Sequence, residues 1–144
     1  MRIRQYQKKD KEQLLKLIEN CLYQIFKVKL KKIEWDISFF RKDGILYVAE
    51  DKGKIIGSIG IKQQKKEIAR LEKMYVDKRY RRRGIGKKLY KKVESFAKKQ
   101  GYRQIILSTT PQMKDAISFY RKNGFEFYKA NKKRNQLFFR KKVR

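Results

Sequence analysis

Any chemistry in this 144-residue chain must proceed without imidazole, because the sequence contains no His. That excludes Ser-His-Asp and Cys-His nucleophile systems and any His-ligated metal site. The single cysteine, Cys21, can form neither an intrachain disulfide nor a thiolate zinc site, and it suits a reducing compartment. It falls on the inward stripe of a predicted helix and reads as core rather than nucleophile. No metal is expected. The segment with most chemical content is Arg81-Arg82-Arg83-Gly84-Ile85-Gly86, between a predicted strand and a predicted helix. Two glycines let a main chain approach a ligand closely, and a helix start presents unpaired N–H groups with partial positive charge. Such a turn suits a phosphate or pyrophosphate, and Arg81 to Arg83, Lys87 and Lys88 add full charges. A Gly-x-Gly can equally be a tight turn and nothing more. It is no Walker loop, since the Gly-Lys-Ser/Thr ending is missing. The three glycines and acidic ribose ligand of a dinucleotide fingerprint are also absent.

Charge sets the surroundings of that turn. Lys and Arg number 42 against 14 Asp and Glu, a formal net charge of +28. The field attracts polyanions, whether nucleic acid, anionic lipid or a phosphate-bearing cofactor. The cations run the whole length, from Lys8, Lys9, Lys11 and Lys16 to the tail Arg140 to Arg144, rather than forming one arm. Most are Lys, solvated point charges rather than bidentate readers. A solubilising surface is therefore favoured over a nucleic-acid partner.

These residues need elements to position them. A hydrophobic fraction of 40%, with nine Phe and nine Tyr, is too apolar for a disordered chain, and the length suits one domain, 1–144. No stretch approaches about 18 consecutive apolar residues and the start lacks an apolar signal core, so a soluble cytoplasmic domain is expected. Arg2 to Tyr6 alternates weakly as a first strand. Leu14, Ile18, Cys21, Leu22 and Ile25 recur at helical spacing, with Asp10 as N-cap. Ile33 to Phe40 reads as a second short helix. Ile45 to Glu50, Ile55 to Ile61 and Glu67 to Val76 form an antiparallel meander, the first pair joined by the hairpin turn Asp51-Lys52-Gly53-Lys54. Leu71 and Met74 have opposite parity, so either both sheet faces are covered or a bulge shifts the phase. Ile85, Leu89, Val93 and Phe96 or Ala97 mark a helix that ends at Gln100-Gly101. Gln104 to Ser108 suits a buried parallel strand, broken by Thr109, Thr110 and Pro111. Met113, Ala116, Ile117 and Tyr120 mark a last helix before Asn123-Gly124. Phe125 to Tyr128 and Leu137 to Arg140 close as a hairpin. The predicted fold is a single-domain α/β structure with a mixed, mostly antiparallel sheet flanked by helices, in the order βα(α)βββαβαββ.

Three segments, taken in order, resemble the GNAT superfamily of acetyl-CoA-dependent N-acetyltransferases. They are Leu71-Glu-Lys-Met-Tyr-Val-Asp77, Arg81-x-x-Gly84-x-Gly86-x-x-Leu89, and Ala116-Ile-Ser-Phe-Tyr120-x-x-x-Gly124-Phe125, together spanning Leu71 to Phe125. The resemblance implies that main-chain groups of Met74, Tyr75 and Val76 pair with the pantetheine arm of acetyl-CoA. It implies that N–H groups from Arg81 or Arg82 through Arg83, Gly84, Ile85, Gly86 and Lys87 hold the pyrophosphate. The strands Glu67 to Val76 and Gln104 to Ser108 would splay to admit the thioester. Tyr120 matches the tyrosine that protonates the departing CoA thiolate, a role open to a phenol of pKa near ~10. The N–H near Met74 would stabilise the oxyanion.

Departures from the family pattern carry expectations of their own. Arg82 stands where a Gly is common, and Met113 where many members have an Asn. Arg70 stands where many place a Glu base. Glu72 is the substitute candidate, pointing to the same face as Arg70, with Glu67 behind it; a surface ion pair is the plainer reading of Glu72. Trp35, Phe39 and Phe40 could line the acceptor pocket or simply pack the core. The reaction implied is direct attack of an amine on the thioester without an acyl-enzyme, by a monomer or homodimer. An amine on an anionic molecule suits the charge better than a polycation. The alternative is a basic nucleic-acid-binding module on the same fold with weak or lost catalysis, resting on the Arg/Lys runs interleaved with Tyr75, Tyr80, Tyr90 and Tyr102.

Overall fold

In the computed structural model, the described residues are 1–27 and 43–144. The second helix expected over Ile33 to Phe40, and with it Trp35, Phe39 and Phe40, lies outside them. Strand β1 (Arg2–Gln5) leads through a 3-10 turn into helix α1 (Lys11–Phe26). Strands β2 (Ile45–Asp51), β3 (Lys54–Lys65) and β4 (Ile68–Val76) form the meander. Helix α2 (Ile85–Lys99), strand β5 (Gln104–Thr109), helix α3 (Lys114–Lys122) and strands β6 (Glu126–Asn131) and β7 (Gln136–Lys142) follow. Among the described residues, no helix is long and apolar enough to cross a membrane.

The seven strands make one sheet in the order β1-β2-β3-β4-β5-β7-β6. Every neighbouring pair is antiparallel except β4 and β5. The β2–β3 turn puts Lys52 at φ 50° and Gly53 at φ 79°. Two consecutive positive φ values are what a tight hairpin of right-handed twist requires. The last hairpin pairs back into the sheet, so that β7 lies between β5 and β6.

Alternation within the strands sends side chains to two separate cores. On one face, Leu14, Leu17, Ile18 and Cys21 of α1 pack with Leu46, Val48 and Ile55. On the other, Ile85, Leu89, Val93 and Ala97 of α2 meet Ala49, Ile59, Ile61, Ala69, Leu71, Ile105 and Leu107, with Tyr120 and Phe125 beside them. Each fully buried Leu or Ile contributes about 1.5–3 kcal/mol, so both helices are clamped by their apolar stripes. Asp10 occupies the N-cap position of α1, yet its carboxylate makes no capping bond there. It accepts a bidentate pair from the Arg4 guanidinium, both at 2.8 Å, and the Gln7 N–H at 2.8 Å. A cation six residues away wins it from the helix, because a buried carboxylate needs a full counter-charge. This holds the Asp10 carboxyl below the usual carboxylate range, through the Arg4 hydrogen bonds acting against desolvation.

Candidate functional site

Residues 77–84 link β4 to helix α2. Asp77 starts a 3-10 turn (Lys78–Tyr80) by accepting the Arg79 N–H at 2.9 Å. Arg82 then takes φ 62° and Gly84 φ 77°. A left-handed residue costs any side chain but glycine about 1–2 kcal/mol, so Arg82 adds its charge at the expense of strain. Within α2 the first turn closes with the Lys88 N–H on the Gly84 carbonyl at 3.1 Å. No acceptor among the described residues takes the N–H groups of Arg82 to Lys87. They form a concave row at the positive end of a 15-residue helix. The Arg81 N–H is instead spent on the Lys78 carbonyl at 3.4 Å, so the row begins at Arg82 and not at Arg81. Of the neighbouring cations, Arg81 Nε donates to the Val76 carbonyl at 3.1 Å, and the Arg83 guanidinium lies 5.1 Å from the Tyr80 ring centroid. At Gly86 a Cβ would meet Met74 Cε at 3.0 Å and Phe119 Cε2 at 3.2 Å. The bare backbone there lets α2 sit close against β4 and α3.

The parity conflict in β4 is resolved by a bulge. Ser58 pairs with Tyr75 but Gly60 pairs with Glu72, leaving one extra residue in β4. The displaced residue is Lys73, at φ 57°. Ser58, fully buried, donates from Oγ to the Lys73 carbonyl at 2.7 Å and holds the bulge in place. The phase therefore shifts after Glu72: Leu71 and Met74 both reach the α2 face, and Tyr75 turns to the α1 face. The Asp77 N–H donates to the Ile56 carbonyl, so by alternation the main-chain groups of Val76 and Met74 face away from β3. The Val76 carbonyl is already taken by Arg81 Nε and Cys21 Sγ.

On that side, β4 loses its partner. The parallel ladder with β5 has three pairs, Ile68–Gln104, Ala69–Ile105 and Arg70–Ile106, and ends. Beyond it β4 runs six more residues along a gap. At the fork, Arg70 bridges the two strands, donating from Nε to Glu72 at 3.0 Å and from a terminal nitrogen to Ser108 Oγ at 2.6 Å. Glu72 also meets Lys62 at 3.4 Å and Lys73 at 3.8 Å. Glu67 sits at the closed end, where its carbonyl accepts the Arg103 and Gln104 N–H groups, and so lies away from the fork.

Tyr120 is 7% exposed, ringed edge-on by Phe119 and Phe125. Its hydroxyl has no hydrogen-bond partner among the described residues. Burial, and then the nearby Tyr75, push its pKa well above the ordinary phenol range. Tyr75 is itself pushed up to about 12 by burial, with Cys21 and Glu72 adding to it. Tyr75 thus neighbours Tyr120 on one side and Glu72 on the other. Sequence reasoning missed Ser58 and Ser108, whose partners are remote in the chain. It also treated Thr109 and Thr110 as strand breakers, whereas both present buried Oγ1 atoms with no partner at the end of β5. Two hydroxyls closing an apolar run were the available signal.

Comparison with known proteins agrees with this geometry. The family model described as "Acetyltransferase (GNAT) family" matches residues 11–125. An uncharacterised N-acetyltransferase of Methanocaldococcus jannaschii is 32% identical over 136 residues, covering 86% of this chain and 60% of that protein. The chain thus spans less than two thirds of that relative. A GNAT-family acetyltransferase of Staphylococcus aureus Mu50 superposes with a TM-score of 0.86 at 27% identity over 99% of both chains. A Bacillus anthracis acetyltransferase solved in complex with acetyl coenzyme A gives a TM-score of 0.68 at 27% identity, covering 78% of this chain and 69% of that one.

Proposed function

The chain belongs to the acetyltransferase (GNAT) family, and on that premise we propose that it transfers the acetyl group of acetyl-CoA to an amine by direct attack, with no acyl-enzyme. The observation that carries this reading is the row of six open amides, Arg82 to Lys87, a short turn beyond the edge of β4 that β5 leaves unpaired. A diphosphate meets the demand of that row, and an extended amide-bearing arm meets the demand of the strand edge. The residues therefore fit acetyl-CoA: Arg82, Arg83, Gly84, Ile85, Gly86 and Lys87 hold the phosphates, and Met74 and the Val76 N–H hold the arm. The donor supplies an acyl group activated as a thioester.

Everything else is the work of this chain. The Met74 N–H donates to the thioester oxygen as it gains charge. The Tyr120 hydroxyl, kept protonated by its buried setting, delivers a proton to the leaving sulfur. Glu72, on the β4 face that Tyr75 shares, accepts the proton of the incoming amine. Since Arg70 and two lysines contact that carboxylate, the surroundings favour an acceptor carried on an anionic molecule. A kinetic panel of acidic and basic amines tests this, and faster turnover of the basic ones refutes it.

The deciding experiment is thermal unfolding with acetyl-CoA and, separately, with ATP at equal concentration. A hundredfold excess over Kd adds about 2.7 kcal/mol. For a chain this size that raises Tm by roughly 5–11 °C. An equal shift with ATP would mean that the strand edge contributes nothing and that only anion attraction operates.

A further inference from the structure

Helix α2 has a second face, of which the acyl-donor site uses only the Lys87 N–H. Its exposed positions are Lys87, Lys88, Lys91, Lys92, Ser95, Lys98 and Lys99. Every one but Ser95 is a lysine. The contrast with the other helices is sharp: the exposed face of α1 mixes Lys11 and Lys16 with Glu12, and that of α3 sets Asp115 among Lys114, Arg121 and Lys122. The one acid of α2, Glu94, touches the row only at Lys98 and is otherwise engaged elsewhere. It is held by Lys141 at 2.6 Å, accepts the Tyr90 hydroxyl and meets Lys98 at 3.3 Å. Lysines at i and i+4, such as Lys87 with Lys91 and Lys88 with Lys92, repel one another and weaken the helix that carries them. From Lys87 to Lys99 the ridge runs straight for about 18 Å at 1.5 Å per residue. Beyond its far end, Arg144 reaches back to the Lys98 carbonyl at 2.6 Å.

We propose that the lysine ridge of α2 is a docking surface for double-stranded DNA, held through its phosphate backbone without reading of sequence. Linear cation spacing along a rigid rod complements a rod with one charge per about 1.7 Å of axis. The ridge carries no aromatic side chain, so it lacks the stacking platform that single strands require. It carries lysine rather than arginine, compact point charges that suit phosphate contacts rather than planar recognition.

The test is fluorescence anisotropy with a labelled 20-base-pair DNA duplex across a salt series, comparing two charge-matched variants. One replaces Lys91, Lys92, Lys98 and Lys99 by Gln; the other replaces Lys129, Lys132, Lys133 and Arg134 of the β6–β7 hairpin. All eight positions lie outside the acyl-donor site. The ridge variant should lower the salt slope by up to about 3.6, at roughly 0.9 per lost phosphate contact, and weaken binding at 0.1 M salt at least about tenfold. The hairpin variant should retain the wild-type slope. Equal losses in both would mean diffuse attraction by net charge and would overturn the proposal, as would absence of duplex binding by the wild type. Tighter binding of a single strand, duplex RNA, polyglutamate or phosphatidylserine vesicles would also overturn it, by assigning the ridge to another partner. Circular dichroism confirms that both variants fold. Acetyl-CoA affinity should be wild-type in both, so the outcome is independent of the acetyltransferase reading.

Discussion

Replacing Ser58 by Ala removes one buried hydroxyl and tests whether a single hydrogen bond sets the phase of β4. The Oγ donates to the Lys73 carbonyl at 2.7 Å in a setting with no solvent access. Its loss deletes the bond and under-satisfies a buried carbonyl, a cost of about 2 kcal/mol. At 2–4 °C per kcal/mol, Tm should fall by roughly 4–8 °C in differential scanning calorimetry. The matched substitution is Lys73→Gly. It keeps the carbonyl while relieving a left-handed residue worth about 1–2 kcal/mol, offset by about 0.5–1 kcal/mol of glycine chain entropy. That variant should match wild type or gain up to about 6 °C. The pair should also separate in titration calorimetry with acetyl-CoA. Ser58→Ala weakens binding because Met74 and Val76 lose their register, and Lys73→Gly does not. A wild-type Tm for Ser58→Ala beside a large loss for Lys73→Gly would refute the reasoning, since the lysine side chain would then be holding the bulge.

Tyr120→Phe should lower kcat by about 10²–10⁴ while leaving acetyl-CoA affinity and Tm near wild type, because the hydroxyl has no hydrogen-bond partner among the described residues; steady-state kinetics with unchanged kcat would remove it from the reaction. With the Tyr120 pKa raised by burial, kcat should not fall from loss of that proton at any pH below about 10, and an alkaline limb that vanishes in Tyr120→Phe at lower pH would contradict this. Gly86→Ala places a methyl against Met74 and Phe119, so urea unfolding should show a loss of about 1–3 kcal/mol together with weakened acetyl-CoA binding. Asp10→Asn should cost about 1.5–3 kcal/mol at pH 7, because Arg4 loses its bidentate partner while keeping Glu50 at 3.1 Å. Because the folded Asp10 pKa is depressed, that contribution is fully present above the unfolded value near ~3.9 and is lost as pH falls through the lower folded value. Urea midpoints of wild type and variant should therefore converge only below about pH 4.

How much of this was legible in the residues depended on how far apart the partners lie. The glycine turn and the helix behind it follow from local spacing, and the open amides were there to be expected from Gly84, Gly86 and the start of α2. The bulge was half legible: the parity of Leu71 and Met74 demanded a phase shift, but the residue that absorbs it is fixed by Ser58, fifteen positions away. Asp10 was placed correctly at the head of α1 and misread in its bonding, since Arg4 outbids the helix amides. Arg70 showed only as the place where a carboxylate was missing. Its bond to Ser108 spans 38 residues and exists because β4 and β5 are neighbours, a pairing that strand patterns alone do not specify. The position of β7 between β5 and β6 was likewise invisible, because each strand of a hairpin offers the same alternation to either neighbour.

A sheet that releases its own ladder after three rungs behaves as two plates hinged at one corner. One plate carries β1 to β4 and the other carries β5, β7 and β6, with α2 packed across both. Breathing motions will concentrate along that seam, where the fewest bonds must break. A molecule lodged in the seam would stiffen both plates together, and slowed amide exchange in β7, a strand that never touches it, would be the distant signature of occupancy.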